Sequence, residues 1–150
     1  MEEQPMVSQP EQLRQRTKQF ALRIVTLFQS LPKSDVARTL GRQVLRSGTS
    51  VGANYRAVCR ARSKAEFIAK MGLVVEEADE TAFWLELLIE TAVVPKPRLE
   101  DLLAETNELV RIFSASRQTA QKFPQKKVGS KRDGAAVQSL NRPITQWLTG

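Results

Sequence analysis

Apolar residues along this chain recur every three or four positions over four stretches, each bounded by a residue that starts or stops a helix. In the first, from about Glu11 to Leu31, Phe20, Ile24, Leu27, Phe28 and Leu31 share one helical face. It ends at the Leu31-Pro32 step, because the residue before a proline avoids helical dihedrals. The second stretch starts after Ser34, an N-cap residue, and continues to about Arg62. Ser63 followed by Glu66 is an S-x-x-E capping box and marks the third start. That helix is predicted to run to about Ala92, ahead of the breakers Pro95 and Pro97. The fourth covers about Leu99 to Lys122, with Leu99, Leu102, Thr106, Leu109, Phe113 and Ser116 alternating by three and four.

Four helices with short connections predict an all-α fold, an antiparallel up-down-up-down four-helix bundle over residues 11–122. The second and third helices would each be about 29 residues, or about 43 Å at 1.5 Å per residue. Residues 1–10 read as a disordered N-terminus. Residues 123–150 read as a flexible basic tail, where Lys126, Lys127, Lys131, Arg132 and Arg142 stand against Asp133 alone.

Within the second helix, GTSVG (Gly48 to Gly52) matches the G-x-S-x-G pattern of a hydrolase nucleophile elbow. The chain contains no histidine to serve as its general base, and no S-x-x-K motif starts at Ser50 because position 53 is Ala53. A phosphate-binding P-loop fails as well, since Ala53 and Asn54 follow Gly52 where Lys and Ser/Thr are needed. A glycine inside a helix costs about 1 kcal/mol relative to alanine. Gly41, Gly48 and Gly52 are therefore expected to mark a seam where another helix approaches closely. Cys59 is the single cysteine, which excludes an internal disulfide and ordinary zinc spacings. The acidic cluster EEADE lacks the histidines that carboxylate di-metal bundles usually add, and neither metal nor cofactor is expected. The polar start MEEQPMVSQPEQ does not resemble a signal peptide, and no apolar run approaches a membrane span. The expectation is a soluble cytoplasmic protein.

Charge adds a partner class. The formal net charge is +7 with a pI near 10.0, so polyanions are candidate ligands. Projected at about 100° per residue, Arg38, Arg42, Arg46, Arg56, Arg60 and Lys64 share one sector of about 80° on the second helix. Such a stripe is suited to tracking phosphates. It could equally pair with the acids of the third helix, Glu66, Glu76, Glu77, Asp79, Glu80, Glu86 and Glu90, within a chain or between subunits. The third helix also carries more apolar surface than one core needs. Beside its core face (Phe67, Met71, Val74, Ala78, Leu85, Ile89), Phe83, Trp84, Leu87 and Leu88 point round its other sides and predict self-association.

At these residues the sequence resembles a known family. SGTSVGANYRA, followed by RARSKAEFIAKMGLVVEEADETAFWLELL, resembles the bacterial four helix bundle proteins, which include proteins encoded in intervening sequences of large-subunit ribosomal RNA genes. It is also similar to the accessory variability protein of diversity-generating retroelements. The resemblance covers roughly Phe20 to Gln121 and implies an antiparallel bundle assembling as a homopentameric ring. In the retroelement protein it further implies a basic surface that contacts nucleic acid and a reverse transcriptase as partner. Gly48, Ser50, Gly52 and Asn54 fall on the family's signature, and the resemblance makes Ser50 and Asn54 structural rather than catalytic. Family members often carry Glu soon after the Asn-aromatic pair, where this chain has Ala57 and Val58, leaving its second helix more uniformly basic.

The combined expectation is a non-enzymatic, oligomeric accessory protein that binds nucleic acid, RNA rather than DNA. The six-residue stripe would carry the binding, with Lys126, Lys127, Lys131 and Arg132 adding sequence-independent affinity. The alternative is an adaptor ring that docks a protein partner and uses the stripe for assembly.

Overall fold

The computed structural model describes residues 6–123, and the tail from 124 onward, including Lys126, Lys127, Lys131 and Arg132, lies outside the described residues. Four helices make up the described chain: α1 (Gln9–Ser30), α2 (Asp35–Cys59), α3 (Lys64–Glu90) and α4 (Lys96–Lys122). No strand occurs among the described residues.

The boundaries follow from capping. Ser8 accepts a hydrogen bond from the Glu11 N–H at 3.4 Å and Pro10 sits in the first turn, which starts α1 two residues before the predicted Glu11. Ser34 caps α2 by accepting from the Ala37 N–H at 3.2 Å. Ser63 caps α3 through the Glu66 N–H at 3.1 Å, and Glu66 accepts the Arg62 N–H at 3.0 Å in return. An N-cap needs extended backbone, and Ser63 has φ −148° and ψ 163°. The helix before it must therefore stop early enough for the chain to turn. It stops at Cys59 rather than Arg62, and Arg60 and Ala61 close the turn by donating to Ala57 and Val58 carbonyls.

Helix α3 likewise ends at Glu90, short of Ala92. The Val93 N–H reaches the Leu88 carbonyl at 3.1 Å and the Ala92 N–H the Ile89 carbonyl at 3.0 Å, the pattern of a Schellman cap. That cap places Ala92 at φ 56°, a left-handed position that glycine takes without steric cost.

The helices run antiparallel in chain order. Helix α1 packs on α2, α2 on α3, and α3 on α4, while α1 meets α4 only lightly. The bidentate Arg16–Glu105 pair, with its shortest contact at 2.5 Å, spans that lighter edge. The core is one apolar cluster that includes Phe20, Ile24, Val51, Tyr55, Phe67, Met71, Leu85, Leu88, Leu109 and Phe113, each at most 1% exposed. Each of these large side chains contributes about 1.5–3 kcal/mol by leaving water. Between α2 and α3 the core holds one polar contact, in which the Thr81 hydroxyl meets Ser47 Oγ at 2.9 Å. No helix among the described residues is long and apolar enough to cross a membrane.

The seam expected at the glycines lies between α1 and α2. A Cβ added at Gly48 would stand 2.8 Å from Ile24 Cγ1, and one at Gly52 would stand 3.3 Å from the Thr17 carbonyl oxygen. At Gly48 the Ile24 side chain, and at Gly52 the α1 backbone, lies where a larger residue's Cβ would crowd it.

Two substitutions test this account. Gly48→Ala should gain helix propensity of about 1 kcal/mol yet lose more by overpacking against Ile24, for which about 1–3 kcal/mol is typical. In an Ile24→Ala background the same change should become stabilising, as measured by urea unfolding; destabilisation in both backgrounds would show that the seam is not the reason for glycine. Ala92→Gly should raise the unfolding free energy by about 1 kcal/mol by relieving a left-handed alanine. An unchanged midpoint would mean that residue 92 is not held in that conformation.

Candidate nucleic-acid interface

Close packing of α1 on α2 leaves a shallow groove between their outward faces, about 610 Å³ in volume. Its floor is made of small side chains, Ala21 and Thr17 from α1 with Thr49, Gly52, Ala53 and Ala57 from α2. Its walls are cationic. Arg14 and Lys18, one turn apart, rise from α1; Arg56 and Arg60, also one turn apart, rise from the C-terminal end of α2. Arg62 from the α2–α3 turn and Lys70 from α3 close one end.

The acids at this rim are already engaged. Glu66 pairs with Lys70 at 2.6 Å and accepts the Arg62 N–H, and those two contacts hold its carboxyl below the usual carboxylate range. Glu11 pairs with Arg14. Lys18, Arg56 and Arg60 form no ion pair among the described residues. The two arginines lie at the carbonyl end of α2, where the helix dipole favours positive charge without a side-chain partner.

The expected one-helix stripe is therefore redrawn. Arg56 and Arg60 belong to the groove. Arg38 and Arg42 are exposed but lie toward the other end of α2, with Arg38 donating to the Lys33 carbonyl at 3.3 Å. Arg46 is turned toward α3, where it pairs with Glu77 at 3.4 Å and with Glu80. Lys64 is not on α2 at all. It is the first residue of α3 and half-buried, because α2 ends at Cys59 and the helical phase does not carry through the turn. In their place come Arg14, Lys18, Arg62 and Lys70. The signal for the first two was present: a cation pair four residues apart brackets Thr17, the small residue of α1 that meets Gly52.

Of the signature residues, Gly48 and Gly52 face α1, while Ser50 and Asn54 turn to their own helix. The Ser50 hydroxyl donates to the Arg46 carbonyl at 2.6 Å, and the Asn54 amide donates to the Ser50 carbonyl at 2.9 Å. The four residues expected to drive self-association also divide. Leu88 is fully buried in the core of its own chain and is no part of a surface, because α3 is covered by α2 on one side and α4 on the other. Phe83 is 50% exposed and packs edge-on against Trp84 with ring centroids 4.9 Å apart. Trp84 is partly buried and donates its indole N–H to Glu80 at 3.1 Å, and Leu87 is partly buried beside it.

Beneath the groove, Tyr55 is fully buried with its ring centroid 5.1 Å from that of Phe113. Among the described residues its hydroxyl has no partner at ordinary hydrogen-bond geometry, although the Cys59 thiol one turn on lies near enough to influence its ionisation. Burial raises the Tyr55 phenol far above its ordinary range. Burial likewise raises the Cys59 thiol, against the opposing pull of Tyr55 and of the Arg14 guanidinium. Among the described residues no group of three or more Cys, Asp or Glu side chains could hold a metal ion.

Four antiparallel helices on one core define the class, a helical-bundle protein. The chain belongs to the 23S rRNA-intervening sequence protein family, whose model matches residues 11–115. A solved structure from Bacteroides thetaiotaomicron, described as a protein of unknown function from the S23 ribosomal protein family, is similar at 34% identity and a TM-score of 0.69. The match covers 75% of this chain and 100% of that one. Among curated proteins, none matches the chain.

The thiol offers a probe of the groove's underside. Because its folded pKa is raised, less thiolate is present at pH 8 than for a free cysteine, and iodoacetamide should label Cys59 more slowly than it labels N-acetylcysteine. Arg14→Ala removes a cation that lowers this pKa and should slow labelling further. A rate at or above the free thiol's, or faster labelling in the variant, would contradict this electrostatic picture.

Proposed function

We propose that this protein is a non-enzymatic RNA-binding accessory protein that takes the ribose–phosphate backbone in the α1–α2 groove. The observation that carries the reading is the convergence of Arg14, Lys18, Arg56 and Arg60 from two helices, three of them without an ion pair, around a floor of small side chains. Unpaired like charges this close repel one another, and a polyanion relieves that repulsion while releasing its own counterions. The family's description as 23S rRNA-intervening sequence proteins supports looking for an RNA ligand. In this reading Arg38 and Arg42 extend the contact along α2, and Arg46 serves the fold rather than the ligand. The protein acts as a homo-oligomer, a pentamer by its family resemblance, with Phe83, Trp84 and Leu87 available for assembly. A reverse transcriptase is the protein partner that the same resemblance suggests.

The adaptor reading has its own observation, the half-exposed Phe83–Trp84 pair beside acids on α3. The two readings separate on one double variant. Arg56→Glu with Arg60→Glu should weaken RNA binding at least tenfold at physiological salt and lower the slope of log K against log salt by about 1.4–1.8. Mass by light scattering should stay unchanged. Arg98→Glu, an exposed charge reversal at the start of α4, serves as control. Unchanged RNA affinity with a drop in mass would instead assign the cations to assembly.

A further inference from the structure

Resting on that reading, we propose that the groove selects double-helical RNA and holds it by its backbone, without reading bases. The lining supplies the argument. Its walls are the cations Arg14, Lys18, Arg56 and Arg60, and its floor is Ala53, Ala57 and their small neighbours. Among the described residues no aromatic side chain lines it: Tyr55 has no exposed surface, and Phe83 and Trp84 stand elsewhere on α3. Sites for single strands combine a basic track with aromatic platforms on which unstacked bases lie, and this groove has only the track.

The hydroxyls of the floor are also engaged by their own helices. The Thr17 hydroxyl donates to the Leu13 carbonyl at 2.8 Å and the Thr49 hydroxyl to the Leu45 carbonyl at 2.6 Å. What faces outward is positive charge on two walls set by a helix–helix spacing of about 8–10 Å. A duplex presents two rows of phosphates already held in place, at higher charge density than one strand. A flexible single strand would have to be ordered along the groove with no stacking in return.

The test uses the full chain and two probes with equal numbers of phosphates, a perfectly paired RNA hairpin and an oligouridine. Fluorescence anisotropy at physiological salt should show the hairpin binding at least tenfold tighter, and scrambling its stem sequence should change affinity less than twofold. Oligouridine binding as tightly as the hairpin, or a tenfold dependence on stem sequence, would overturn this inference while leaving RNA binding intact. Failure of both probes to bind would overturn the proposed function itself. Ala53→Leu fills the floor without altering charge and keeps a strong helix former in α2. It should weaken hairpin binding about fivefold or more with the helical circular dichroism unchanged. Full affinity in that well-folded variant would mean the duplex does not enter the groove.

Discussion

The contact on which the rest of this molecule depends is the close approach of α1 to α2 at Gly48 and Gly52. Side-chain-free positions on α2 let Ile24 and the Thr17 backbone settle directly against it, and that spacing has two consequences. Inside, it brings Phe20 and Ile24 deep enough to join the core shared with Val51 and Tyr55. Outside, it draws the flanking residues of the two helices into one surface, so that Arg14 and Lys18 stand across a narrow floor from Arg56 and Arg60. A wider helix pair would leave two separate cationic ridges instead. The glycine pattern that mimics a hydrolase motif is thus a packing device, and the candidate site follows from the packing.

Charge is sorted along the bundle in a way that this geometry explains. Where α2 faces α3, Arg46 meets Glu77 and Glu80, an exposed arrangement worth at most about 1 kcal/mol. Where α2 faces α1, the rim holds cations and only two acids, each already paired with a cation. The unpaired arginines are tolerated because they project into water from the carbonyl end of a helix. The fold therefore loses little by keeping a concentrated positive field on one face.

How much of this could be read from the chain depended on whether the signal was local. The four helices, the Ser63 cap and the glycine seam were legible, since periodicity, capping chemistry and mid-helix glycine act over a few residues. The end of α2 was missed for a related reason. The Ser63 cap and the α2 C-terminus compete for the same short segment, and the extended backbone at the cap decides the outcome. Projecting one wheel through that break put Lys64 on the wrong helix. Leu88 was misplaced because Phe83, Trp84, Leu87 and Leu88 encircle α3, and only the neighbours on both sides determine which of them lies inward. The groove itself was half legible: Arg56 and Arg60 came from one helix's pattern, whereas Arg14 and Lys18 needed the knowledge of which face of α1 meets the seam.

That dependence on α1 also sets how rigid the groove is. Helix α1 leans mainly on α2 and touches α4 lightly, so its position could drift about the seam if nothing held its far side. Its apolar face, Leu13, Phe20, Ile24 and Leu27, is buried in the common core, and the Arg16–Glu105 pair adds a polar contact on that side. Glu105 accepts from both Nε and Nη2 of Arg16, and this contact raises the guanidinium's already high pKa further, so the pair persists across any pH at which the carboxylate is ionised. Arg16 sits between Arg14 and Lys18 in sequence but points the other way round the helix, toward α4. Three cations within five residues thus divide their work by helical phase. One meets Glu105 on α4, while the buried face of α1 (Leu13, Phe20, Ile24 and Leu27) sets the rotation that leaves the other two on the rim of the groove.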